Sequence, residues 1–178
     1  MNYQSISDIY TANAAIHGKL KETLSTLTEA QLSSLPEGEK WTVTQIVEHI
    51  AMVQNGGLRI CSKLLSTAKA ENQMSDGAIR ISDNFEERSV EVAAVKLEAP
   101  EIVHPSHGKT IGESLAAMDE TEHKLNELKP LFEEYDCNTA KYPHPFFGEM
   151  SAAEWLMLVG GHEGRHLKQV KNLLAKIG

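Results

Sequence analysis

Four segments of this chain carry apolar residues at spacings of three, four and seven, and three of them open with a strong helix-start signal. In the first, Ile6, Ile9, Ile16, Leu20, Leu24 and Leu27 form the stripe. Thr28-x-x-Gln31 then starts a short extra turn running to Leu35, which Pro36-Glu37-Gly38 breaks. The second helix starts at Thr42, with Gln45 as its capping-box partner, and runs to about Leu65. The third starts at Thr110 with Glu113, and its stripe is Ile111, Leu115, Met118 and Leu125. In the fourth, Ser151 and Glu154 form the box, while Met150 and Trp155 occupy the positions of a hydrophobic staple. Between the second and third helices, roughly residues 68 to 108, no long helix fits. That stretch holds Gly77, Pro100, Pro105, Gly108 and a β-like alternation at Val90-Glu91-Val92. The segment 136 to 149 is shorter and punctuated by Pro and Gly. Short connections around one long one predict an all-α four-helix bundle with a single crossover between helices 2 and 3.

The totals agree with one domain over residues 1–178. At 41 % hydrophobic and 24 % charged, the chain has the composition of an ordinary soluble globule. Its net charge of −8 argues against a nucleic-acid surface. The N-terminus has no basic region followed by an apolar run, and no stretch approaches the ~20 apolar residues a membrane span needs. Cys61 and Cys137 form neither a CxxC pair nor a disulfide framework, so a reducing, cytoplasmic setting is the expectation.

The histidines carry the chemistry. On a helical wheel at ~100° per residue, His162 and His166 fall inside the same arc as Trp155, Val159, Val170 and Leu173. Four residues apart, they project from one face. Two imidazoles in an apolar stripe must find partners, or each costs on the order of 1–3 kcal/mol. Two readings follow: each ring is satisfied by a carbonyl or carboxylate, or both share a metal ion. The string His162-Glu163-Gly164-Arg165-His166 also matches the HExxH of zinc proteases. That family needs a further ligand downstream, and the twelve residues after His166 contain no His, Asp or Glu. The protease reading is therefore set aside.

His49 is the best third ligand, at the edge of the helix 2 stripe formed by Ile46, Ile50, Val53, Ile60 and Leu64. Gly56 lies two turns along on the same side, and Gly160-Gly161 precede His162; these small residues either let helices approach or leave room for a ligand. His17 and His123 fall off the stripes and are expected in solvent. His104 and His107 lie in the crossover beside Pro105 and Gly108; either could cap the site, but a surface loop is the expectation. Glu120-x-x-His123 lacks the second copy that a di-iron carboxylate site requires.

These residues resemble the DinB/YfiT superfamily of four-helix metalloproteins. The matching strings are Trp41-Thr42-Val43 leading to Glu48-His49-Ile50, Pro145-Phe146-Phe147-Gly148 leading to Ser151-Ala152-Ala153-Glu154-Trp155, and His162-Glu163-Gly164-Arg165-His166-Leu167-Lys168-Gln169. The loop Ala99-Pro100-Glu101 matches as well. The resemblance implies an up-down-down-up bundle, often a homodimer, with a zinc, nickel or iron ion held by His49, His162 and His166. It also implies activities that include S-transfer with a low-molecular-weight thiol and a thiol-dependent isomerisation.

Three neutral imidazoles leave a divalent ion its full charge and an open position, the arrangement of catalytic rather than structural zinc. The leading expectation is activation of a small thiol for attack on a small-molecule electrophile, with the three histidines acting as ligands only. Arg165 and Gln169, three residues after each helix 4 ligand, and Glu122 on helix 3 are candidates to support them; the alternative for Glu122 is a surface carboxylate. Metal-dependent hydrolysis is the runner-up, and a metal-binding stress or interaction module without turnover is the third reading.

Overall fold

The computed structural model describes residues 3–95, 97–106 and 108–177, and its helices begin where local chemistry dictates. Helices α1 (Ile6–Ser25), α2 (Glu29–Ser33), α3 (Val43–Ala70) and α5 (Ile111–Glu134) open at capping boxes built on Ser5, Thr28, Thr42 and Thr110. In each, the cap hydroxyl takes an amide proton three residues on, and the residue there reaches back to the cap amide. Ser151 and Glu154 make the same exchange at the head of α6 (Ala152–Ile177), at 2.8 and 3.3 Å. The box at Ser5 and Asp8 has no counterpart in the sequence reading, and α3 runs past Leu65 to Ala70.

Long helices α1, α3, α5 and α6 form the bundle, with α3 packed against α5 and α6, and α1 completing the ring against the same two. Directions follow from cross-helix hydrogen bonds. Gln54 pairs with Glu163 and Cys61 with the Ala152 carbonyl, so α3 and α6 are antiparallel. Asn13 bonds the Leu156 carbonyl and His17 meets Glu163, so α1 and α6 are parallel. Tyr10 donates to the Leu125 carbonyl and Lys21 to Asp119, so α1 and α5 oppose each other. The result is the up-down-down-up bundle.

Two loops hold more structure than the sequence suggested. The crossover contains a 12-residue helix, α4 (Asp83–Ala94), and a 3₁₀ turn at Glu101–Val103. Val90-Glu91-Val92 is helical, not β-like. Ser82 caps α4 by accepting from the Phe85 amide, and Asp83 and Glu86 complement its N-terminal dipole. The buried carboxylate of Glu154 fastens the cap from below, accepting from the amide and hydroxyl of Ser82 at 2.8 and 2.6 Å. The second loop is a β-hairpin, β1 (Lys141–His144) against β2 (Gly148–Ser151), turning at Gly148 with φ of +68°.

The interior is layered. One apolar cluster gathers Phe132, Met150, Leu156 and Leu65 toward the hairpin end, and a second gathers Leu20, Ile46, Ile50, Met118, Val170 and Leu173 toward the other. Between them lies a polar layer with the buried side chains of His17, Gln54, Thr121 and Glu163 and a water-sized cavity of about 30 Å³. Among the described residues no helix is long and apolar enough to cross a membrane.

Candidate metal centre

Antiparallel packing of α3 on α6 brings His49 to the level of His162 and His166. Their Nε2 atoms converge: His162 Nε2 lies 3.2 Å from His49 Nε2 and 3.1 Å from His166 Nε2. The ring centroids are 4.4–5.0 Å apart. His49 and His166 are buried, and His162 is half-buried.

The outer ring nitrogens decide what the inner ones can do. His49 Nδ1–H donates to the Val103 carbonyl at 2.8 Å, and His166 Nδ1–H donates to Gln169 Oε1 at 2.7 Å. In a neutral imidazole the other nitrogen is then a bare lone pair. Two lone pairs therefore face His162 Nε2, which carries at most one proton to share between them. Burial pushes all three pKa values down, that of His166 to about 4 and that of His162 well below the usual range, with repulsion from neighbouring histidines adding to it. The rings are neutral at pH 7, the state ligation requires. A divalent cation satisfies all three lone pairs at once. Tetrahedral zinc with Zn–N near 2.0–2.1 Å separates its ligand nitrogens by roughly 3.3 Å, which the observed spacing approaches. His162 Nδ1, buried without a hydrogen-bond partner, is the one polar atom of the triad lacking an orienting contact. Among the described residues no fourth His, Cys, Asp or Glu joins this group.

Of the supporting residues read from the sequence, Gln169 alone touches a triad ring. Arg165 turns outward, its guanidinium capping the C-terminus of α4 through the carbonyls of Val92 and Val95, the latter at 2.8 Å. Its charge still helps depress the pKa of His162 and His166. Glu122 approaches an imidazole, but that of His17, 3.8 Å away.

His17 is not in solvent. It is 6 % exposed, and both its nitrogens meet carboxylates at 2.9 Å, Nδ1 to Glu163 and Nε2 to Asp119. The hydrogen bond to Glu163 does most to raise its pKa, to about 9, so at neutral pH it is an imidazolium. Glu163 is 2 % exposed, and its second oxygen accepts from Gln54 at 2.6 Å. With one oxygen held by His17 of α1 and the other by Gln54 of α3, Glu163 is not free to act as general base for an ion held by the triad, which removes the protease reading on geometry. His123 is exposed, as expected. His104 is an exposed loop residue whose ring meets Trp41, and Trp41 in turn packs on His49 with centroids 4.9 Å apart. His107 lies outside the described residues.

Two further residues were not singled out as functional in the sequence. Glu48, beside His49 and buried, accepts from the amide and hydroxyl of Ser106 at 2.9 and 2.6 Å, so consecutive residues of α3 hold the crossover at two points. His144, at the end of β1, packs on Trp155 of α6 and was passed over because a turn residue has no periodicity to reveal its face.

A helical bundle with one long crossover and a convergent three-histidine cluster on facing helices defines a class, and the comparisons agree on which. The DinB superfamily model matches residues 15–170, and the chain belongs to that superfamily. It is 27 % identical over 158 residues to the uncharacterized protein YuaE of Bacillus subtilis (strain 168), covering 86 % of this chain and 90 % of that one. Among solved structures it is similar to TT2238, described as a four-helix bundle protein, with a TM-score of 0.61 and 23 % identity over 93 % of this chain and 98 % of that one.

Proposed function

We propose that the protein is a metal-dependent S-transferase that activates a low-molecular-weight thiol at His49, His162 and His166. The observation that carries the reading is the set of three converging Nε2 lone pairs, two of them fixed by outer hydrogen bonds, with no fourth His, Cys, Asp or Glu beside them among the described residues. A divalent ion held there supplies Lewis acidity and lowers the pKa of a bound thiol toward neutrality. The histidines hold it with neutral nitrogens, and burial strengthens every charge interaction within the site. In the overall reaction the thiol sulfur forms a bond to an electrophilic carbon. The bond from that carbon to the leaving group breaks with its electron pair, and the thiol proton goes to the leaving group. We favour transfer over hydrolysis because the nearby carboxylate, Glu163, is committed to His17 and Gln54, and among the described residues no other carboxylate joins the triad.

The test starts with metal. Protein made without a His-tag should carry close to one equivalent of zinc, nickel or iron by elemental analysis, and His49→Ala and His162→Ala should lose most of it. Unchanged metal content in both variants removes the reading. With metal bound, loss of an electrophilic substrate should require added thiol; turnover without thiol would make the protein a hydrolase instead.

A further inference from the structure

A second cluster of metal-binding side chains joins α1 to α5. His17 of α1 presents Nε2 to two carboxylates of α5, 2.9 Å from Asp119 Oδ1 and 3.8 Å from Glu122 Oε2. The three donor atoms all lie within 4.8 Å of one another. Asp119 and Glu122 are three residues apart, so one helical face carries both. Ligand atoms held at roughly 2.0–2.2 Å from a divalent ion stand about 3–3.5 Å from each other. Small shifts of two half-exposed carboxylates would therefore complete such a set.

Three features set this cluster apart from a surface ion pair. His17 Nδ1 meets Glu163 Oε1 at 2.9 Å, and both residues are buried. A metal-bound imidazole characteristically donates its second N–H to a carboxylate in this way. The water-sized cavity of about 30 Å³ is lined by both His17 and Glu122, which gives a water room to enter the shell. Charge points the same way. With His17 protonated, it and Lys21 carry two positive charges against the three carboxylates of Asp119, Glu122 and Glu163. Exchanging the Nε2 proton for a divalent ion brings the group to neutrality. Lys21 Nζ contacts both oxygens of Asp119, at 2.8 and 2.9 Å, and keeps one of them when the other turns to an ion.

We propose that His17 Nε2, Asp119 and Glu122 form a second divalent-cation site, separate from the triad, with Glu163 orienting the imidazole and water completing the shell. One nitrogen and two carboxylate oxygens suit a first-row ion that accepts mixed ligands, such as manganese(II) or iron(II), rather than a thiolate-seeking one. The ion ties α1 to α5, and its binding sends the Nε2 proton to solvent. The site faces solvent through its carboxylates and holds its ion less tightly than three imidazoles hold theirs, so it is read by titration rather than by metal content after purification. The inference does not rest on the thiol reading above.

Manganese(II) is titrated at pH 8 into metal-free full-length protein carrying His49→Ala and His162→Ala, so that the triad takes no part. Bound ion is read from the loss of the EPR signal of free manganese(II), with both components at micromolar concentration. The variant should bind close to one equivalent and release close to one proton per ion, the proton of His17. Adding Asp119→Asn or Glu122→Gln should weaken binding at least about 10-fold. Glu120→Gln, which removes an exposed carboxylate paired with Lys124, should leave it unchanged. Far-UV circular dichroism checks that the helices are kept, and the same carboxylate variants made in wild type serve if the triad variant loses them. The proposal is overturned if no ion binds, if Asp119→Asn and Glu122→Gln keep full affinity, or if Glu120→Gln weakens it as much. Binding without proton release would leave the carboxylates alone as ligands and overturns it as well.

Discussion

His49 and His166 each use one nitrogen to fix the other. The Val103 carbonyl and the Gln169 side chain hold the two Nδ1 protons, and the lone pairs at Nε2 are thereby aimed inward. Such outer contacts set ligand tautomer and orientation, and losing one typically weakens metal affinity 10- to 100-fold. Gln169→Leu should do so here, because His166 is 8 % exposed and its Nδ1–H would lose its partner. Competition with a chromophoric chelator measures it, and equal affinity in wild type and variant would show that Gln169 does not orient the ring. Gln169→Glu, which keeps an acceptor, should hold near-wild-type affinity. The position of Gln169, three after His166, is visible in the sequence. Val103 is not, because a backbone carbonyl 54 residues away carries no sequence signature.

At the scale of elements, the bundle was legible wherever burial is apolar and periodic. The stripes of α3 and α6 and the boxes at Thr42, Thr110 and Ser151 mark those helices in the chain itself. Helix α4 escaped notice because it buries only Phe85 and leaves Val90 73 % exposed, so it has no stripe; Glu154 and Arg165 hold its two ends instead. His17 was misplaced for a related reason. Its buried face meets charge rather than hydrocarbon, and a wheel scored on hydrophobicity assigns such a face to water. The glycines show the same limit, since sequence alone leaves packing and room as equal readings. The structure separates them, with opposite consequences for stability. At Gly160 an added Cβ would sit 1.9 Å from Asn13 Oδ1 and 3.3 Å from Asn13 Cα, displacing a side chain that bonds the Leu156 carbonyl. Gly160→Ala should therefore destabilise by about 1–3 kcal/mol. Gly161→Ala meets nothing and should stabilise by up to ~1 kcal/mol through helix propensity. Urea unfolding of the two variants checks both, and stabilisation by Gly160→Ala would mean that Asn13 yields freely.

Across the whole molecule, titratable side chains are buried on both sides of one short stretch of α6. His162 and His166 turn toward α3 as neutral rings, while Glu163 between them turns toward α1 and is matched by the His17 imidazolium. The two faces titrate in opposite senses. The folded pKa of His17, about 9, lies above its ordinary 6.5, so its contribution to stability is full below pH 6.5 and is lost as pH rises through 9. The triad pKa values lie below 6.5, that of His166 at about 4, so the triad contribution is full above pH 6.5 and is lost as pH falls through 4. Metal-free protein should accordingly be most stable near neutrality and weaken on both sides. His17→Phe should be less stable overall, because it leaves the buried Glu163 carboxylate without its cation. Its stability should nonetheless change little between pH 6.5 and 9, where wild type declines, and its acid limb should be retained. Urea midpoints from pH 5 to 9 on metal-free wild type and variant measure this. An alkaline decline that persists undiminished in His17→Phe would assign that limb to other groups and break the link between His17 and Glu163.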